Sequence, residues 1–157
     1  MWLRLVVGRR PLVTLLRALA VVVISAVVFR FWLLPIRVTG TSMVPTYHDK
    51  QINFINRLAY FRNHPQRGDV VCLRLSQQQL LLLKRVVGLP GERIAIREGV
   101  VFINGDKLEE PYANGKVPGR VAEFELQPTE YFVIGDNRPV SDLLRREERD
   151  ILGKVIY

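Results

Sequence analysis

The sequence predicts a mainly β protein: one N-terminal transmembrane helix followed by an all-β domain. Three observations carry this. The run LVTLLRALAVVVISAVVFRFWLLP, from Leu12 to Pro35, is almost wholly apolar. It supplies the ~20 residues that a bilayer core requires. Beyond Pro35 the chain is a series of short β-prone runs separated by turn residues. No long amphipathic helical pattern follows the apolar run.

The anchor has its own signs. Arg17 and Arg30 lie near its two ends, where long side chains snorkel to the headgroups. Phe29, Phe31 and Trp32 cluster at the distal end, as interfacial aromatics do. Arg4, Arg9, Arg10 and Arg17 come early, and basic residues before a span predict a cytoplasmic N-terminus. The division expected is a cytoplasmic basic N-terminus over residues 1–11, an anchor over 12–35 and an extracytoplasmic domain over 36–157. A cleaved signal peptide would need a small-x-small site, and Trp32-Leu33-Leu34-Pro35 stands there instead.

The strands follow in order: Ile36–Thr39, Gln51–Asn56, Asp69–Leu75, Leu80–Val87, Arg93–Arg97, Val100–Ile103, Tyr131–Ile134 and Ile151–Ile156. IAIREGVVFING reads as a hairpin with Glu98-Gly99 at its turn, and Asn104–Asp106 is a second turn signal. Gln77–Gln79 is a polar loop.

Composition narrows the function classes. The net charge of +8 suggests an anionic partner, but much of it precedes the apolar run. That points to the lipid bilayer rather than nucleic acid. Cys72 is the only cysteine, so no internal disulfide forms. Its place in VVCLRL makes it a small buried hydrophobe. His48 and His64 show no ligand spacing, so no metal site is expected.

Three segments carry chemistry. TGTSMVPT, Thr39 to Thr46, offers Ser42 in a turn framed by Gly40 and Pro45. A serine hydroxyl needs a base to become a nucleophile. LLLLKRVVGLPGE sets Lys84 in an apolar strand. If Lys84 points inward, desolvation lowers its pKa and its neutral amine becomes a general base. The alternative is a solvent-facing lysine on an edge strand. Lys84 and Arg85 fall on opposite faces, so only one easily meets water beside a covered sheet. YFVIGDNRPVSD runs a strand into the Gly135-Asp136-Asn137 turn, with Ser141 just beyond.

In this order, after one anchor, GTSMVPT, KRVVGLPGE and GDNRPVS resemble the type I signal peptidase family, membrane-bound Ser/Lys peptidases that remove leader peptides from exported proteins. VFINGDKLEEPY also resembles a strand-turn segment of that family. The resemblance implies a signal-peptidase-like catalytic domain of antiparallel sheets, Ser42 as nucleophile and Lys84 as general base. It implies that Met43 and Pro45 shape the substrate cleft. Gly135, Asp136, Asn137, Arg138 and Ser141 match the third motif, whose serine orients the lysine amine. Gly40 stands where some relatives carry an oxyanion-hole hydroxyl, leaving the Ser42 N–H. The expected partners are preprotein signal peptides and the lipid bilayer, with no nucleic acid, no cofactor and a monomeric chain.

The sequence departs from the family after Ser141. The usual Ser-x-Asp-Ser-Arg becomes Ser141-Asp142-Leu143-Leu144-Arg145. The motif's Asp–Arg pair is lost in its usual register, and Asp142, Glu147 or Glu148 are the candidate substitutes. Two alternatives stay open on sequence: an inactive relative that only binds signal segments, and a membrane-tethered basic binding module with Lys84 outside.

Overall fold

The computed structural model describes residues 11–75 and 80–156. The basic N-terminus and the Gln77–Gln79 loop lie outside the described residues. The described residues begin with helix α1 (Pro11–Val27), which continues through a π-helical turn, Val28–Trp32. Together they make 22 consecutive helical residues, within which an 18-residue stretch has a mean hydropathy of 2.6 and no residue buried by protein. At 1.5 Å per residue the whole run is about 33 Å, a bilayer's hydrocarbon thickness.

Strand β1 (Leu33–Arg37) begins at the next residue, three positions earlier than the sequence suggests. Pro35 is tolerated there because β1 is an edge strand, where a missing N–H costs no ladder bond. The other strands are β2 (Ile52–Asn56), β3 (Val70–Leu75), β4 (Leu80–Gly88), β5 (Arg93–Arg97), β6 (Val100–Ile103), β7 (Asp106–Lys107), β8 (Val121–Glu125), β9 (Glu130–Ile134), β10 (Leu144–Glu147) and β11 (Ile151–Ile156).

They form two antiparallel sheets. One runs β1-β2-β11-β3-β4-β9-β10 and the other β7-β6-β5-β8. The β5–β6 hairpin pairs Arg97 with Val100, leaving Glu98 and Gly99 as its two-residue turn. Both have positive φ, 53° and 79°, as a type I′ turn demands. Asn104-Gly105 makes a second such turn into β7.

β4 lies inside the large sheet, between β3 and β9. Val71 faces Lys84, and Ile134 faces Arg85. One core layer joins Val87, Ile94, Ile96, Val101, Phe132 and Ile134. Another joins Val38, Met43, Tyr47, Ile55, Val70 and Cys72. Cys72 is wholly buried, and burial pushes its thiol up to about 12, which makes it inert.

Candidate active site

Ser42 sits in the loop between β1 and β2. The loop is pinned from both ends. The Gly40 N–H donates to Asp49 Oδ1 at 2.9 Å, and the Tyr47 N–H donates to the Met43 carbonyl at 2.9 Å. Met43 and Tyr47 are each 2% exposed and belong to the core beneath. Burying these side chains leaves Ser42 half-exposed on the loop's outer turn.

A cleft of about 390 Å³ opens at Ser42. Its walls are Pro35–Gly40 from β1 and the residues after it, Met43, and Leu81–Leu83 from β4. β1 and β4 are four places apart in the sheet order, so the sheet curls to bring them across one groove. Met43 lines the cleft, whereas Pro45 is exposed and outside its lining. β1 pairs only with β2, so its far edge is open.

Lys84 is buried, 3% exposed. Its Nζ donates to Ser141 Oγ at 2.9 Å. The Ser141 hydroxyl also accepts the Gly135 N–H at 2.6 Å. Burial lowers the Lys84 pKa, and the charge of Asp142 opposes part of that shift. An amine so placed loses its proton more readily than an exposed lysine. Among the described residues no hydrogen bond joins Lys84 to Ser42. The two are linked instead through Gly135. A Cβ there would collide with the Ser42 carbonyl oxygen and lie 2.6 Å from Ser141 Oγ. Glycine alone lets the Ser42 turn, the third-motif turn and the Lys84 partner close on one point.

The third-motif loop is held by charges. Asp136 is fully buried and accepts from Arg85 Nε at 2.7 Å and Nη2 at 2.6 Å. Thr46 Oγ1 donates to the same carboxylate. Arg85 therefore faces away from Lys84 as alternation requires, but into a second buried layer rather than water. Tyr112 stacks on its guanidinium, 4.1 Å from ring centroid to Cζ. Burial pulls the Arg85 pKa down, yet Asp136, Tyr112 and Tyr47 outweigh it and the net direction is up.

Asn137 ties this loop to the Ser42 loop. Its N–H donates to the Ser42 carbonyl at 3.0 Å, and its Nδ2 to the Thr41 carbonyl at 3.0 Å. Arg138, 2% exposed, forks onto Glu110 at 2.7 and 2.6 Å. The Asn114 N–H donates to the Asp136 carbonyl at 2.7 Å. The sequence does not single out Glu110, Tyr112, Asn114 or Thr46. VFINGDKLEEPY stands out as a segment, but nothing in its spacing marks Glu110 as the partner of a buried arginine.

Arg145 does not pair with Asp142, Glu147 or Glu148. Its guanidinium lies over Phe124, 5.2 Å from the ring centroid. Leu143, in place of the motif's Asp, packs against the core layer around Phe132.

The family profile "Signal peptidase, peptidase S26" matches residues 12–145. The chain belongs to this family. It is 31% identical over 150 residues to "Signal peptidase I" of Bacillus licheniformis, covering 88% of this chain and 78% of that one. It is 31% identical over 150 residues to "Signal peptidase I T" of Bacillus subtilis (strain 168), covering 88% and 76%. The solved signal peptidase I of Enterococcus faecalis V583 superposes with a TM-score of 0.50 at 27% identity, over 60% of this chain and 98% of that one. Family membership makes the chain a signal peptidase, and the two antiparallel sheets agree with the solved relative.

Proposed function

We propose that this chain removes N-terminal signal peptides from exported preproteins by Ser/Lys acyl transfer, tethered by residues 12–35. The observation that carries the reading is the burial of Lys84, with its amine directed by Ser141 at 2.9 Å beneath the cleft that Ser42 lines. It weighs against a tethered basic module, which needs Lys84 in water.

Neutral Lys84 takes the Ser42 hydroxyl proton as Ser42 Oγ attacks the scissile carbonyl carbon. The Ser42 N–H forms no backbone hydrogen bond among the described residues and is free to meet the oxyanion. Collapse expels the mature protein's amine, which receives the proton from Lys84. Water, deprotonated by Lys84 in turn, releases the signal peptide from the acyl-enzyme. The step requires the Ser42 side chain to rotate toward Lys84 Nζ as substrate fills the cleft. Ser141 supports this, because an amine that donates to Ser141 keeps its lone pair for Ser42.

The substrate enters as an extended segment alongside the open edge of β1. Small side chains before the cut suit the apolar groove of Pro35, Ile36 and Leu81–Leu83. The N-terminus is cytoplasmic, the β domain extracytoplasmic, and Asp136, Asn137 and Arg138 support the site from behind. The test is cleavage of a model preprotein by the full chain in detergent. Ser42→Ala and Lys84→Ala are each expected to abolish it with the fold retained, and the double variant to be no worse than either. Substantial cleavage by Lys84→Ala would remove the Ser/Lys assignment.

A further inference from the structure

The open edge of β1 offers two rows of side chains to whatever lies along it. Ile36 and Val38 turn inward, onto the core layer of Met43, Ile55 and Cys72. Arg37 and Thr39 alternate with them, and both are exposed. All four residues line the cleft at Ser42. The inward row is apolar, and the outward row carries a cation.

That cation is unclaimed. Arg37 makes no ion pair among the described residues. Its cross-strand neighbour on β2 is Ile52, itself exposed, and β2 contains no acid. Asp49, on the loop that follows β1, accepts the Gly40 N–H at 2.9 Å instead. On the other side of β1 no strand pairs with it among the described residues.

We propose that Arg37 selects preproteins by the charge of the fourth residue before the cut, taking an acidic side chain there and rejecting a basic one. This rests on the peptidase and anchor readings above. The apolar helix ends at Trp32 and β1 starts at Leu33, so β1 runs from the membrane end of the domain toward Ser42. A preprotein held in the same bilayer by its signal helix enters from that end too. Its extended segment therefore runs parallel to β1 and brings the scissile bond to Ser42.

Side chains of an added strand alternate as those of β1 do. With the residue before the cut seated in the apolar groove, the third joins it there. The second and fourth turn outward. Thr39, nearer Ser42 in the chain, falls beside the second, and Arg37, two residues farther back, falls beside the fourth. A carboxylate next to Arg37 forms a cross-strand ion pair, whereas a lysine or arginine meets a like charge. The inward row thus reads size, and Arg37 reads charge on the opposite row.

The test uses the full chain in detergent with model preproteins that differ in one residue. Glutamate, glutamine or lysine stands at the fourth residue before the cut, and in a second series at the second. Wild type should cleave the fourth-position series in the order Glu, Gln, Lys, with kcat/KM for Glu about threefold to tenfold above Lys in low salt. Salt at about 0.5 M should compress that ratio, since the pair is exposed. Arg37→Glu should reverse the order, which a merely weakened or misfolded enzyme does not do. Arg74, another exposed arginine, lies cross-strand from Leu81 of the opposite wall. Arg74→Gln should leave the ratio unchanged. Equal cleavage of the Glu and Lys preproteins, or a preference that survives Arg37→Glu, would overturn the proposal and leave the peptidase reading intact. A preference confined to the second position, or one lost equally in Arg74→Gln, would overturn it as well, the first by register and the second by showing a diffuse field. If no preprotein of either series is cut, the peptidase reading fails and the proposal with it.

Discussion

Lys84 Nζ and Ser141 Oγ, 57 residues apart in sequence, meet at 2.9 Å inside the domain. The contact orients an amine whose pKa burial has lowered. In the proposed mechanism the ammonium below that pKa has no lone pair for Ser42, and the amine above it accepts the proton. Cleavage should therefore rise with pH on a single limb and level off. Ser141→Ala should lower the plateau and move the limb modestly toward acid, because it removes an acceptor that favours the ammonium. Asp142→Asn should also move the limb toward acid, since its charge holds the Lys84 pKa up. A pH–rate profile of the three proteins checks this. A rate that falls from pH 6 to 9 in folded protein is incompatible with a lysine base.

The same burial makes Lys84 a liability for stability. Its pKa is lowered in the folded state, so the unfolded chain holds more protons between that lowered value and the ordinary lysine value. Stability should rise with pH across this window. Lys84→Met keeps the volume and removes the buried charge. It should abolish cleavage and raise the Tm, most at pH below the lowered pKa and least near the ordinary one. Thermal unfolding in detergent at several pH values reads this directly. A Tm that drops at every pH would show that the Ser141 hydrogen bond outweighs desolvation.

Gly135 is the position where one methyl group should separate fold from chemistry. Its missing Cβ lets the Ser42 carbonyl and Ser141 Oγ approach. Gly135→Ala must push one of them away. We expect at least about 10²-fold loss of kcat, as displacement of reacting groups by about 1 Å entails, and destabilisation of about 1–3 kcal/mol from overpacking. Gly135 is not among the positive-φ glycines, so the loss there comes from crowding rather than from backbone strain. Equal activity in wild type and Gly135→Ala would dismiss the close approach as a requirement.

How much of this was legible in the sequence depended on what kind of signal each part leaves. The N-terminal apolar helix and the Glu98-Gly99 hairpin depend on local composition and backbone conformation, so they could be read directly. β8, VAEFE, and β10, LRRE, were missed because both are edge strands whose charged residues blur the alternation. β1 was placed late because its first residues are as apolar as the helix before them. The apolar strand around Lys84 is legible from Leu81–Leu83 and Val86–Val87, but that segment alone leaves open which face Lys84 takes, since alternation lets either Lys84 or Arg85 point inward. The pairs Arg85–Asp136 and Arg138–Glu110 were not legible, since their partners are 51 and 28 residues away. Alternation leaves room for one of Lys84 and Arg85 to meet water, yet a buried carboxylate and a stacked tyrosine keep Arg85 inside as well.

The altered third motif gives the last prediction. An acid at position 143 would restore the family's pattern, and Arg145 lies in the same shallow pocket, with Val121, Phe124 and Phe132. Two outcomes compete. An aspartate could capture Arg145 as an ion pair, but such a solvent-accessible pair contributes at most about 1 kcal/mol. Arg145 would also have to leave the face of Phe124, giving up a contact of about 0.5–1 kcal/mol. Leu143, meanwhile, packs its side chain against the layer that includes Phe132, and replacing it with a charge forfeits about 1–3 kcal/mol of apolar burial. The balance favours leucine. Leu143→Asp should lower stability by about 1–3 kcal/mol, while Leu143→Met should cost less than about 1.5 kcal/mol. Combining Leu143→Asp with Arg145→Met isolates any new pair through a double-mutant cycle, and we expect a coupling below about 0.5 kcal/mol. An aspartate variant as stable as wild type, with a coupling above about 1 kcal/mol, would overturn this balance and show that position 143 still accepts an acid paired with Arg145.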